Sequence, residues 1–160
     1  MDTSVHEPRL RHEVAGVGVI FGALIFLLAL LSFSPSDEGL LGRGLAVHNW
    51  IGAGGVWISN KTLVGAFGLA GYIFPFSLFY LGGLLFAGRV PESRGPLLLR
   101  LACGLLFWLF SASALALTVG EYASGGQEIP AGGLVGILLG GALRQGLGFA
   151  GAASVIVFGL

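Results

Sequence analysis

Charge is what this sequence has least of. Eight Lys and Arg and eight Asp and Glu make up 10% of its 160 residues and cancel to a formal net charge of zero. A chain without a net basic field has nothing to gather nucleic acid along its surface, and no acidic tail recruits a cationic partner. Cysteine is nearly absent as well. Cys103 stands alone inside an apolar run, which excludes a disulfide framework and a thiolate metal site. The three histidines, His6, His12 and His48, are scattered without H-x-x-x-H or other ligand spacing, so they read as isolated surface residues and no metal centre is expected.

What fills the space is apolar. The hydrophobic share is 55% and the mean hydropathy +0.91, far from the balance of a water-soluble domain. The chain reads as an all-α membrane protein, and little of its length remains for a soluble enzyme core. Residues 14–33 carry no charge and, at about 1.5 Å per residue, cross a hydrocarbon core of roughly 30 Å. They follow a short tail, residues 1–13, whose Arg9 and Arg11 would also suit a signal peptide. The apolar stretch is longer than a typical h-region and no Ala-x-Ala site follows, so an uncleaved anchor is expected. "SPSDEG" (34–39) then ends the helix with a proline, two acids and a glycine, the composition of a turn emerging into water.

Residues 40–61 have too many glycines and too short an apolar run to span, while Trp50 and Trp57 suit the headgroup layer; an interfacial segment is expected. The second uncharged run, 62–88, is too long for an upright helix, and Pro75 is the expected kink, with Ser77 available to the carbonyl it frees. A polar turn, "GRVPESRGP" (88–96), precedes a third span at 97–120, with Arg100 near enough to its end to snorkel. After "EYASGGQEIP" (121–130), read as an aqueous loop, residues 131–143 are apolar but too short to cross. They predict an interfacial or re-entrant helix, followed past Arg144 and Gln145 by a truncated fourth span at 146–160. One continuous segment over 131–160 is the alternative, and it would place Arg144 and Gln145 in mid-membrane.

With these spans, Arg9, Arg11, Arg89, Arg94 and Arg100 lie on one side and Arg43, Lys61 and Arg144 on the other. The excess of cations favours a cytoplasmic N-terminus and an outward Gly/Trp segment, with both termini cytoplasmic once the fourth span is complete.

Chemical motifs are missing. The glycines of "HNWIGAGGVW" (48–57) fit neither the G-x-G-x-x-G nor the Walker spacing, and Lys61-Thr62 lacks a preceding glycine, so no nucleotide cradle is expected. Ser124-Gly125 has no nucleophile-elbow context and no histidine within a span to activate it. No acid lies inside any of these spans, as a proton or cation pathway would require, and Glu121 and Glu128 face outward. Gly132, Gly136 and Gly140, and likewise Gly18 and Gly22, recur every four residues, the spacing at which small residues let helix backbones approach.

The order of short motifs is nevertheless distinctive. A basic tail and a first span closing "LLSFSPSD" lead to "NWIGAGGVWIS", "FGLAGYIFPFSL", a short arginine-containing turn, a third span, "GGLVGILLGGAL" and "GLGFAGAASVIVFGL". This closely resembles the N-terminal four-helix membrane domain of the FtsK/SpoIIIE family of bacterial DNA translocases. The residues that carry it best are the "SPSD" turn and the N-x-x-G-x-x-G of Asn49, Gly52 and Gly55. The resemblance implies four transmembrane helices with a short interfacial or re-entrant helix before the fourth, and an inner-membrane anchor at the division septum. It further implies self-association, contact with divisome proteins, and a role in chromosome segregation. ATP, Mg and DNA would be bound only by a hexameric cytoplasmic motor that this segment lacks; the segment itself offers no cofactor site and meets only the bilayer and protein partners. The competing readings are a small channel or transporter subunit and, with less to support it, an intramembrane enzyme.

Overall fold

The computed structural model describes residues 6–89 and 94–159. Its first helix, α1, runs His6–Leu31, so much of what reads as a tail is already helical. The uninterrupted run of Val, Ile, Leu, Ala and Phe keeps every backbone group bonded within the helix, as hydrocarbon demands. The Ser34-Pro35 turn ends it, and a short α2 (Asp37–Gly42) and α3 (Ala53–Ser59) follow. From α3 the chain passes without a break into a π-helical stretch, Asn60–Ala66, and then a 3-10 stretch, Gly68–Tyr72, before the regular α4, Ile73–Phe86.

The expected kink therefore lies elsewhere. Pro75 is the third residue of α4, where a missing N–H costs little, and Ser77 Oγ donates to the carbonyl of Ile73. The irregularity sits upstream at Gly68, whose φ of +58° only glycine adopts readily. There the Leu69 amide donates to the Ala131 carbonyl at 2.7 Å, which holds this bend against the start of the last helix.

Helix α5 spans Arg94–Thr118. The loop after it is a β-hairpin rather than an irregular segment: β1 (Glu121–Ser124) and β2 (Gln127–Pro130) pair antiparallel through a Gly125-Gly126 turn. Both glycines have positive φ, 56° and 80°, the requirement of the two-residue hairpin turn that suits twisted strands. The polar turn at 88–96 lies partly outside the described residues.

The last helix, α6, covers Gly133–Gly159 and is broken at Gly148, where φ is 68° and ψ 177°. A methyl group at Gly132 or Gly136 would collide with the Ala112 carbonyl of α5, and one at Gly140 would press on Ser113 and Leu117. Eight residues of helix are about 12 Å long, yet these three glycines stay beside one or two turns of α5, so the segment crosses α5 steeply. Beyond the break, Gly159 abuts the ring of Phe110. A straight helix from Gly133 to Gly159 would be about 39 Å long, but Gly136, near its start, and Gly159, at its end, meet Ala112 and Phe110 of α5, two positions apart. The break at Gly148, three residues past Gln145, thus turns 149–159 back toward α5.

Among the described residues, four helices are long and apolar enough to cross a membrane: Leu10–Leu31, Gly68–Phe86, Leu98–Thr118 and the bent Gly133–Gly159. They associate as two pairs, α1 with α4 and α5 with α6. In the first pair the buried positions Gly16, Ala23 and Leu30 of α1 and Pro75 and Gly82 of α4 recur every seven residues, the repeat of a left-handed helix pair. Gly16 and Gly82 approach so closely that a side chain on Gly16 would strike the Gly82 carbonyl and the Phe86 amide. Gly18 and Gly22, by contrast, meet open space within this chain, and large apolar side chains such as Phe21, Leu24 and Phe76 cover the outer faces.

Gly136→Leu should destabilise the domain by about 1–3 kcal/mol, because the obstructing Ala112 carbonyl is backbone that moves only with its helix. Gly18→Leu should change stability by less than about 0.5 kcal/mol. Circular dichroism during SDS titration of the detergent-solubilised chain distinguishes the two.

Candidate functional site

The polar interior of the molecule lies at one end, where α1 closes and α4 begins. Leu31 ends α1, so the carbonyls of its last turn have no partner within the helix. Asn49 supplies one: its Nδ2 donates to the Ala29 carbonyl at 2.8 Å and to the Ser32 carbonyl at 3.4 Å. The same carboxamide accepts the Ile51 amide at Oδ1, 3.0 Å away, which closes an Asx turn. Ser32 Oγ donates to the Leu28 carbonyl and accepts the Trp50 amide, and the Tyr72 hydroxyl donates to the Leu30 carbonyl at 2.9 Å.

Asp37 holds this cap in place. Its carboxylate is 1% exposed, against the expectation that "SPSDEG" simply emerges into water. Oδ1 accepts the His48 amide at 3.0 Å and lies 2.8 Å from His48 Nδ1; Oδ2 accepts the Asn49 amide at 2.9 Å. Burial alone would raise the Asp37 carboxyl. The hydrogen bonds from the His48 amide, the His48 ring and the Asn49 amide outweigh it and hold the group below its ordinary 3.8. His48 is therefore not isolated, although its ring remains largely in water.

The N-x-x-G-x-x-G motif acquires a physical reading from this geometry. Asn49 caps α1. Gly52 takes φ 70°, ψ −150°, a conformation that side-chain-bearing residues avoid, and turns the chain into α3. Gly55 leaves room for the Asn49 carboxamide, since a methyl group there would overlap Asn49 Oδ1. Trp50 and Trp57, 70% and 65% exposed, point away from the cap, as residues of an interfacial layer do.

A second set of contacts joins the helix pairs. Trp108 of α5 donates from Nε1 to the Ala70 carbonyl at 2.8 Å, stacks on Phe67 at 3.8 Å and meets Phe74 edge-on. Gly68 and Gly133 sit backbone to backbone, and the Ala131 amide donates to the Gly120 carbonyl. The hairpin turn at Gly125 rests on Pro35 of the "SPSD" turn.

The structure thus gathers Asn49, Gly52 and Gly55 into one junction and sets Gly132, Gly136 and Gly140 against α5, while Gly18 and Gly22 face outward. Sequence reasoning passed over Asp37, Ser32, Tyr72, Trp108, Gly16 and Gly82. The seven-residue spacing of small residues marks Gly16 and Gly82; nothing local marks Tyr72 or Trp108. Among the described residues, no three His, Cys, Asp or Glu side chains gather as metal ligands.

A broken and paired bundle of four apolar helices, its buried polar side chains few and gathered mainly around the end of α1, defines a multi-pass membrane domain. The chain belongs to the family described as the 4TM region of DNA translocase FtsK/SpoIIIE, which it matches over residues 8–160. It is similar to the DNA translocase FtsK of Shewanella oneidensis, 36% identical over 126 residues that make up 76% of this chain. Those residues are 13% of the relative's own length, so the chain corresponds to a small part of it. No solved structure matches the chain.

Asn49→Ala and Gly55→Ala should each cost about 1–3 kcal/mol, since both withdraw the carboxamide from the Ala29 carbonyl. Because they act through one group, the double variant should cost little more than either alone in a double-mutant cycle by SDS unfolding. Acid should weaken the same junction. The folded Asp37 carboxyl is depressed, so its contribution is present above the ordinary 3.8 and is lost as pH falls through the lower folded value. Unfolding midpoints measured from pH 7 to pH 3 should fall for the native chain and flatten at the acid end in Asp37→Asn.

Proposed function

We propose that this chain is the membrane anchor of an FtsK-like translocase, tethering a cytoplasmic DNA-pumping motor at the division septum during chromosome segregation and cell division. The observation that carries the reading is family membership across residues 8–160, together with a relative named as a DNA translocase. The anchor contributes no catalytic group; ATP and Mg belong to the motor, and DNA meets only the motor. The tail and the Arg89 and Arg94 turn face the cytoplasm, which puts the Asp37 and Asn49 junction on the outer side and the end of the fourth span on the cytoplasmic side. Exposed apolar faces, including the one bearing Gly18 and Gly22, meet lipid, further copies of the anchor and other divisome proteins in the inner membrane.

Residues 1–160 fused to a fluorescent protein should concentrate at midcell in dividing bacteria. Uniform labelling of the membrane would overturn the septal reading while leaving the membrane domain intact. Topology is checked separately: activity reporters fused at Glu92 and Gln127 should report opposite sides of the membrane, and reporters on the same side would overturn the orientation.

A further inference from the structure

The two helix pairs meet at their loop end and leave an open cleft of about 240 Å³ between them. Phe26 of α1, Phe67, Phe74 of α4 and Trp108 of α5 line it, with Ala66 and, at the polar end, Lys61 and Thr62. No acid lines the cleft, and Lys61 has no carboxylate within ion-pair distance among the described residues. The Trp108 N–H is already engaged by the Ala70 carbonyl, and Thr62 Oγ1 donates to the Ile58 carbonyl at 2.7 Å.

The depth of these residues bears on the occupant. Lys61 stands one turn beyond the exposed Trp57 and before the span that opens at Gly68. Trp108 lies ten residues, about 15 Å of helix, before the Thr118 end of α5. The cleft runs from the edge of the headgroup layer into the hydrocarbon, with one unpaired cation at its wet end and four aromatic rings at its dry end.

We propose that the cleft holds one anionic phospholipid, its phosphate on the Lys61 ammonium and an acyl chain against Phe67, Phe74 and Trp108. A groove open to hydrocarbon and lined by rings is filled by acyl chains, because water there finds no partners. The lysine selects the headgroup: its charge is uncompensated, and one lysine at an anionic lipid surface is worth about 1 kcal/mol, close to fivefold in occupancy. This inference rests on the chain being a membrane domain, and does not depend on what the anchor tethers.

Trp108 is placed to report it. In a Trp50→Phe, Trp57→Phe background, Trp108 is the sole tryptophan, and the two residues replaced are exposed. The chain is reconstituted into vesicles that contain brominated phosphatidylglycerol or brominated phosphatidylcholine. Half-maximal quenching of Trp108 should come at about a fivefold lower mole fraction of the anionic lipid. Lys61→Gln should bring the two curves together, and Lys61→Arg should keep them apart. Arg43→Gln, which removes a charge outside the cleft, should leave the preference unchanged. Coincident curves for the native Lys61 chain, or a preference that survives Lys61→Gln, would overturn the proposal. Absence of quenching by either lipid would also overturn it, and would point to a second copy of the chain in the cleft. Native mass spectrometry of the chain with all three tryptophans should show retained phosphatidylglycerol that Lys61→Gln loses, and equal retention in both would count against the site.

Discussion

A helix that leaves a bilayer exposes the carbonyls of its last turn, and the constraint that these find donors organises the end of the molecule where polar groups collect. Asn49 meets the Ala29 carbonyl and Tyr72 that of Leu30, while Ser32 Oγ bonds back to Leu28 and accepts the Trp50 amide, so two segments distant in sequence converge on the closing turn of α1. Asp37 in turn fixes the backbone that presents Asn49, by accepting two consecutive amides. Each of these groups would be costly to bury alone. Together they leave no buried side-chain nitrogen or oxygen without a partner among the described residues.

The spans were legible because their cause is simple: hydrocarbon thickness and helix rise fix how many apolar residues a crossing needs. The same arithmetic divided residues 131–160 at Arg144 and Gln145, whereas in the structure one helix, Gly133–Gly159, runs through both residues and is broken at Gly148 instead. Less legible was anything that depended on a partner distant in sequence. The "SPSD" turn has the composition of any exposed turn, and only the amides of His48 and Asn49 make Asp37 an interior residue. Pro75 read as a kink because an apolar run hides where its regular helix begins, and the run contains a π stretch and a 3-10 stretch before α4. The hairpin had a signal of its own in Gly125-Gly126, masked by flanking residues that are polar and few.

Glycine illustrates the same division. Four-residue spacing singled out Gly18 and Gly22 equally with Gly132, Gly136 and Gly140, but a spacing specifies a face and not what lies opposite it. Helix α4 lies across the face of Gly16, Ala23 and Leu30, a seven-residue series containing a single glycine, and there the close approach falls on Gly82. At Gly52 and Gly55 the requirement is local, a backbone angle in one case and the volume of one carboxamide in the other. The motif was recognisable as a pattern before its cause was visible.

What several helices give a membrane domain of this kind follows from how these are joined. A lone apolar helix is held at a depth but is free to tilt and to rotate about its axis, within what its flanking residues allow. Here α1 and α4 are locked at Gly16 and Gly82, and α5 and α6 at the Ala112 carbonyl; the two pairs are then pinned to each other through Trp108, Leu69 and the Gly68 and Gly133 approach. The pins that join the pairs run from the Gly68 and Gly133 approach inward to Trp108, near the middle of α5, and oppose rotation of one pair against the other. An assembly joined in this way resists the rotation of one helix against another, which a single span, with nothing to be pinned to, cannot do.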